Sequence, residues 1–138
     1  MAGQDIQDAV CVDFERLSQF RYRLRCFLRV SEDICREHGL TPLQYQLMLH
    51  LKGQPDRDWA TISELAERLQ SRHHGVVALV NRCEAAGLVR RGPCPTDQRQ
   101  VRVYLCADAE AVLEQVATLH QPELTRLREV LAMTGLSA

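Results

Sequence analysis

Residues 62–106 constrain the fold more than any other stretch, because within them the apolar residues change from a helical to an alternating period across one glycine. Ile62, Leu65, Ala66 and Leu69 recur on one helical face, with Ser63 as the expected N-cap and Gln70-Ser71-Arg72 as the following turn. Val76, Leu79, Val80 and Cys83 form a second apolar face, which Gly87 ends by supplying a left-handed residue. Beyond Leu88-Val89 and Arg90-Arg91, a rigid Gly92-Pro93-Cys94-Pro95 stretch leads to a turn at Thr96-Asp97-Gln98-Arg99. Val101, Val103 and Leu105 then alternate with Gln100, Arg102 and Tyr104, as in a strand covered on one face. Two short helices followed by a hairpin with a basic tip specify a winged helix-turn-helix.

The second helix leaves Arg72, His73, His74, Val77, Ala78, Asn81 and Arg82 exposed, a face without bulky acids. Such a face suits the DNA major groove, where Asn and Arg address base edges and small apolar groups meet a thymine methyl. A solvated helix in any three-helix core is the alternative. Arg99, at the hairpin tip, can enter a narrow minor groove, whose negative potential attracts arginine. Taken alone it is an ordinary surface turn; beside the helix it completes a DNA-reading constellation. The net charge is only −1, but between residues 68 and 102 Arg68, Arg72, Arg82, Arg90, Arg91, Arg99 and Arg102 face only Glu84 and Asp97. That local excess is what neutralising phosphates requires.

The flanks read as helices. Residues 8–38 carry an apolar stripe through Phe14, Leu17, Phe20, Leu24, Phe27, Leu28, Ile34 and Cys35, closed at His38-Gly39. Its apolar surface exceeds what one small domain covers, which suggests a partner chain. Thr41-Pro42 starts a second helix with Leu43, Leu47 and Leu51 inward and Met48 and Leu49 widening the stripe. After a polar loop, Trp59-Ala60-Thr61 adds a short strand to the wing sheet. Asp108 is the expected cap of a helix burying Ala109, Val112, Leu113, Val116, Ala117, Leu119 and His120, and Pro122 is expected to break it in two. The second part, with Leu124, Leu127, Val130 and Leu131, runs to Gly135. The expected fold is mainly α with a small β wing, a single domain over 1–138. Residues 42–106 form its winged part, and 8–38 and 108–134 are dimerisation helices. No apolar run spans a bilayer and the polar start is no signal peptide, so a cytoplasmic protein is expected.

These residues resemble the MarR (multiple antibiotic resistance regulator) family. Leu65-Ala66-Glu-Arg-Leu69, Glu84-Ala-Ala-Gly87-Leu88-Val89 and Asp97-Gln98-Arg99 with Val101, Val103 and Leu105 match its helix, recognition-helix end and wing. Gly39-Leu40-Thr41-Pro42-Leu43-Gln44-Tyr45 looks like its second-helix segment. Cys83 and Cys106 depart from it, standing where the family usually has leucine and threonine. The resemblance implies that Arg99 is the minor-groove residue, that residues 72–82 lie in the major groove, and that Asp97 braces the wing against Arg82. DNA-binding residues are thus expected at Arg72, His73, His74, Val77, Ala78, Asn81, Arg82, Arg91, Asp97 and Arg99. It further implies intertwined terminal helices in a homodimer on a pseudo-palindromic operator in double-stranded DNA. Repression would be relieved by a small aromatic effector near Phe27, Ser31, Tyr45, Met48 and Leu113, each of which reads as plain core before it reads as a ligand contact.

No enzyme is read: there is no nucleophile with a base, no Gly-rich phosphate loop and no cofactor motif. His38, His50, His73, His74 and His120 are spread over different elements. Some relatives bind zinc, and Cys106, His120 and His38 are the set that would have to meet, but no spacing supports them and no metal is expected. Six cysteines lack a C-x-x-C pair. Cys26, Cys35 and Cys83 read as small core residues. Cys94, between two prolines near arginines, reads as exposed and oxidisable, so a thiol-based redox regulator is one alternative function. A winged protein-interaction module without specific DNA binding is another, and would not need Arg99.

Overall fold

The computed structural model describes residues 11–133. Along the chain lie α1 (Phe14–Glu37), α2 (Pro42–Lys52), β1 (Trp59–Thr61), α3 (Ile62–Leu69), α4 (His73–Ala85), β2 (Val89–Pro93), β3 (Val101–Leu105) and α5 (Ala107–Met133). The three strands form one antiparallel sheet in the order β1-β3-β2. This is the mainly helical fold with a small β wing that the periodicities require.

Asp13 begins α1 by accepting a hydrogen bond from the backbone N of Arg16 at 3.0 Å. The helix therefore starts at Phe14, not at residue 8, and Cys11–Asp13 lie outside it; residues 8–10 fall outside the described part. Thr41 and Gln44 form a capping box at the start of α2, with proline at the first helical position. Three helices end in the same hydrogen-bonded turn. The N–H groups of Leu40, Ser71 and Leu88 reach back to the carbonyls of Cys35, Ala66 and Cys83, each at 2.9 Å, across a left-handed residue. That residue is Gly39, Gln70 and Gly87 in turn.

The chain divides into two compact units. The first, Ser31–His120, holds every fully covered apolar side chain among the described residues, from Cys35 to Val116. Leu47, Met48, Leu65, Val80, Cys83, Val103 and Val116 are among its most deeply buried members. The second comprises the described residues up to Val30 and from Gln121 onward. Its apolar side chains are largely in water: Phe14 is 76% exposed, Leu17 56%, Tyr22 60% and Leu124 60%.

Several expectations are corrected. Thr61, not Ser63, caps α3, because its hydroxyl accepts from the backbone N of Glu64 while Ser63 is already inside the helix. Leu43 and Leu49 of α2 point outward, 49% and 40% exposed; Tyr45 joins Leu47, Met48 and Leu51 on the buried face instead. Asp108 lies within the first turn of α5, where its charge favours the helix N-terminus without capping it. Leu119 of α5 is 46% exposed rather than buried. Pro122 does not divide α5, which is continuous from Ala107 to Met133. Proline removes one N–H from the ladder, and the carbonyl deprived of it belongs to exposed Thr118, where water can serve as donor.

Candidate nucleic-acid interface

The start of α3 is fixed by Thr61 and Glu64, and Arg57 bonds the Glu64 carboxylate from the preceding loop. The turn into α4 depends on Gln70, at φ 49° the one described non-glycine residue with positive φ. Its side-chain amide donates to the carbonyl of Glu67 at 2.7 Å, which helps hold this conformation. Arg72 then occupies the N-cap of α4 without a side-chain capping bond. The first N–H groups of α4 thus remain available to an anion, and no acid occupies its first turn.

Along α4, Arg72, His73, His74, Ala78, Asn81 and Arg82 are exposed, whereas Val77 is half-buried and packs against the core. In the wing, Asp97 accepts from the backbone N of Arg99 at 2.9 Å, closing the turn that presents the exposed Arg99. Asp97 therefore braces its own turn and not Arg82. The bond between wing and recognition helix comes from Arg91 on β2, which donates to Asn81 Oδ1 at 2.5 Å and to Glu84 Oε1 at 3.3 Å. His73, Val77, Arg91 and Arg99 converge on one cleft with Ser63 at the start of α3.

The sheet face turned away from α4 carries paired rings and guanidiniums. Arg57 and Arg102 lie 4.1 and 3.7 Å from the ring centre of Trp59, and Arg90 lies 4.3 Å from that of Tyr104. This layer was not anticipated from the alternation of β3, which suggested one covered face. Val101, on the expected inward set, is 38% exposed, while Arg102 and Tyr104 are half-buried by their stacking. The signal was present in the sequence as aromatic and arginine residues at alternate positions.

Cys94 is covered, at 6% exposure, by its own turn, correcting the expectation of an exposed thiol. Its Sγ lies 3.3 Å from Thr96 Oγ1. Hydrogen bonds from Thr96, first its side chain and then its backbone, lower the thiol pKa to about 7, with Asp97 and Arg102 contributing. Burial pushes Cys83 the other way, to about 11, and also raises Cys35. Cys26 is exposed, not a core residue, because it lies on the solvent side of α1.

Of the residues expected near an effector, Tyr45, Met48 and Leu113 are buried. Ser31 and Tyr45 meet on His120: Ser31 Oγ is 2.6 Å from its Nε2, and the Tyr45 ring stacks on it at 4.6 Å. Phe27 is half-buried in the other unit. Both ring nitrogens of His120 are occupied, since Nδ1 donates to the carbonyl of Val116 at 2.7 Å. Among the described residues no group of three His, Cys, Asp or Glu side chains is placed to hold a metal.

With that geometry in hand, residues 38–100 match the family model described as the MarR family. The uncharacterised HTH-type transcriptional regulator YsmB of Bacillus subtilis is 27% identical over 99 residues, 72% of this chain. The chain spans 66% of that relative's length. Among solved structures, AbsC, a MarR family transcriptional regulator from Streptomyces coelicolor, superposes with a TM-score of 0.70 at 22% identity, covering 88% of this chain and 93% of its own. NadR in complex with 4-hydroxyphenylacetate gives 0.70 at 22% identity, covering 88% and 82%. At such identities these two structures speak for the fold.

Proposed function

We propose that the chain, whose residues 38–100 match the MarR family model, is a homodimeric, sequence-specific DNA-binding transcriptional regulator of that family, acting in the cytoplasm as a repressor relieved by a small-molecule effector. The observation that carries the proposal is the convergence of His73 and Val77 of α4 with the wing residues Arg91 and Arg99 on one cleft, beside a helix start whose first turn holds no acid. Recognition residues from α4 enter the major groove, and Arg99 enters the flanking minor groove. Dimerisation is supported by the exposed apolar side chains of the terminal segments, Phe14, Leu17, Tyr22 and Leu124 among them. Two recognition helices held by such a dimer meet half-sites about one helical turn, roughly 34 Å, apart. Among the described residues no helix is long and apolar enough to cross a membrane.

Relief by an effector is supported by NadR, a protein of the same fold whose structure holds the aromatic compound 4-hydroxyphenylacetate. An effector acts by binding preferentially to a spacing of the recognition helices that DNA does not accept. Thiol-responsive relief is the second proposal, favoured by the hydrogen-bonded Cys94 in the wing. The deciding experiment is a salt titration of binding to the protein's own promoter DNA, with wild type and Arg99→Ala. Tight binding to one palindromic site, with a salt dependence that becomes shallower in the variant, is expected. Weak binding that ignores both sequence and Arg99 would overturn the proposal and leave a protein-interaction module.

A further inference from the structure

Arg91 is doubly engaged with the recognition helix. Its backbone N donates to Glu84 Oε2 at 3.0 Å, its Nη1 to Glu84 Oε1 at 3.3 Å and its Nη2 to Asn81 Oδ1 at 2.5 Å. Asn81 and Glu84 are three residues apart on α4 and so share one face. A guanidinium has five donors and no acceptor, so the amide must turn its oxygen to Arg91. That leaves the NH2 of Asn81, which is exposed, as its outward end.

The usual asparagine contact to adenine is bidentate: the amide oxygen accepts from N6 while the NH2 donates to N7. In this protein the oxygen is already held, in a charge-assisted bond, by a side chain of the wing. Arg91 takes one of the two lone pairs of that oxygen and turns it toward the wing, so the outward end of the amide is its NH2, and an end that presents donors matches an edge that offers only acceptors. Guanine presents N7 and O6 side by side, whereas adenine sets its N6 amino group against the amide donors. We infer that Arg91, fixed by Glu84, sets the base preference of Asn81 by turning its carbonyl oxygen toward the wing and its NH2 outward, so that Asn81 selects guanine over adenine. The inference rests on the proposal that α4 reads the major groove. Asn81 is the contact residue; Arg91 and Glu84 are positioning residues.

The test is selection from a randomised duplex pool with the full-length wild type, Asn81→Ala and Arg91→Met, followed by titration of the enriched duplexes. One position in each half-site should be guanine for the wild type, lose its preference in Asn81→Ala and move toward adenine in Arg91→Met. Replacing that guanine by 7-deazaguanine, which lacks the N7 acceptor, should weaken wild-type binding roughly three- to tenfold and leave Asn81→Ala unaffected. The modified-base measurement needs only the wild type and Asn81→Ala, so it decides the matter even where Arg91→Met fails to fold. Any other base at the Asn81-dependent position, an unchanged preference in a folded Arg91→Met, or insensitivity to 7-deazaguanine overturns the inference. An enriched palindrome that is indifferent to Asn81 overturns it while DNA recognition stands. A wild type that enriches no sequence overturns both.

Discussion

Thr61 and Glu64 close the start of α3 on each other. The threonine hydroxyl accepts from the backbone N of Glu64 at 3.2 Å, and the glutamate carboxylate accepts from the backbone N of Thr61 at 3.2 Å and from its hydroxyl at 3.0 Å. Arg57 bonds the same carboxylate. The first helix of the DNA-reading pair is thus fixed by a residue that also ends β1.

Thr61→Ala removes a cap and leaves polar groups of a mostly buried site without partners, at a cost of about 1–2 kcal/mol. Ser63→Ala, in an exposed position inside the helix, should stay within about 0.5 kcal/mol. Urea unfolding of both variants checks this. Equal losses would return the cap to Ser63.

Arg99→Ala should weaken DNA binding roughly 5- to 150-fold, about 1–3 kcal/mol, while leaving the fold unchanged, because Arg99 is exposed at the tip of the wing. The slope of log affinity against log salt should shrink by roughly one counterion. Fluorescence anisotropy over a salt series measures both. A variant that binds as the wild type does would remove the wing from the interface.

Cys94 should alkylate with a midpoint near pH 7, since hydrogen bonds from Thr96 favour its thiolate. The thiolate is the form present above the midpoint, so the rate with iodoacetamide should rise through pH 7 and level off above it. Thr96→Val should move the midpoint upward. A background with Cys11, Cys26 and Cys106 replaced isolates the signal, because burial raises the pKa of Cys35 and Cys83 and keeps both as thiols through pH 7. A rate still climbing steeply at alkaline pH would contradict the assignment.

Leu17→Glu together with Leu124→Glu should dissociate the proposed dimer, with each site weakening association by about 2 kcal/mol, or roughly 30-fold, if it lies in the buried centre of the interface. Both side chains are more than half exposed in the single chain, so the monomer should keep its helical content. Light scattering coupled to size exclusion, with circular dichroism on the same samples, reads the two effects separately. An unchanged mass would place the interface elsewhere.

The helix-turn-helix and wing were legible because their signals are local. The spacing of Leu65, Leu69, Val76 and Val80, the positive φ of Gly87 and the alternation of β3 each fix backbone geometry within a few residues. What was misread depends on choices among neighbours or on distant groups. Thr61 and Ser63 are both capping residue types, and only the neighbouring strand decides between them. Pro122 reads as a break until the helix on both sides is seen to continue past it. The partner of Asp97 was assigned to Arg82, yet its nearest donor is the backbone of its own turn. Arg91 took the bracing role instead, and no local pattern couples a residue on β2 to Asn81 and Glu84 on the helix before it.

Trp59 is the chain's one tryptophan, held between the guanidiniums of Arg57 and Arg102 on the sheet that carries the wing. Its indole emission is therefore a built-in optical label on β1, which pairs directly with β3 of the hairpin arm that β2 and β3 form. Any event that tilts β3, and with it Arg102, alters the cation seated on the ring and should change the intensity of that emission. Stopped-flow mixing with DNA can then time the settling of the wing in the unmodified protein, with no dye attached.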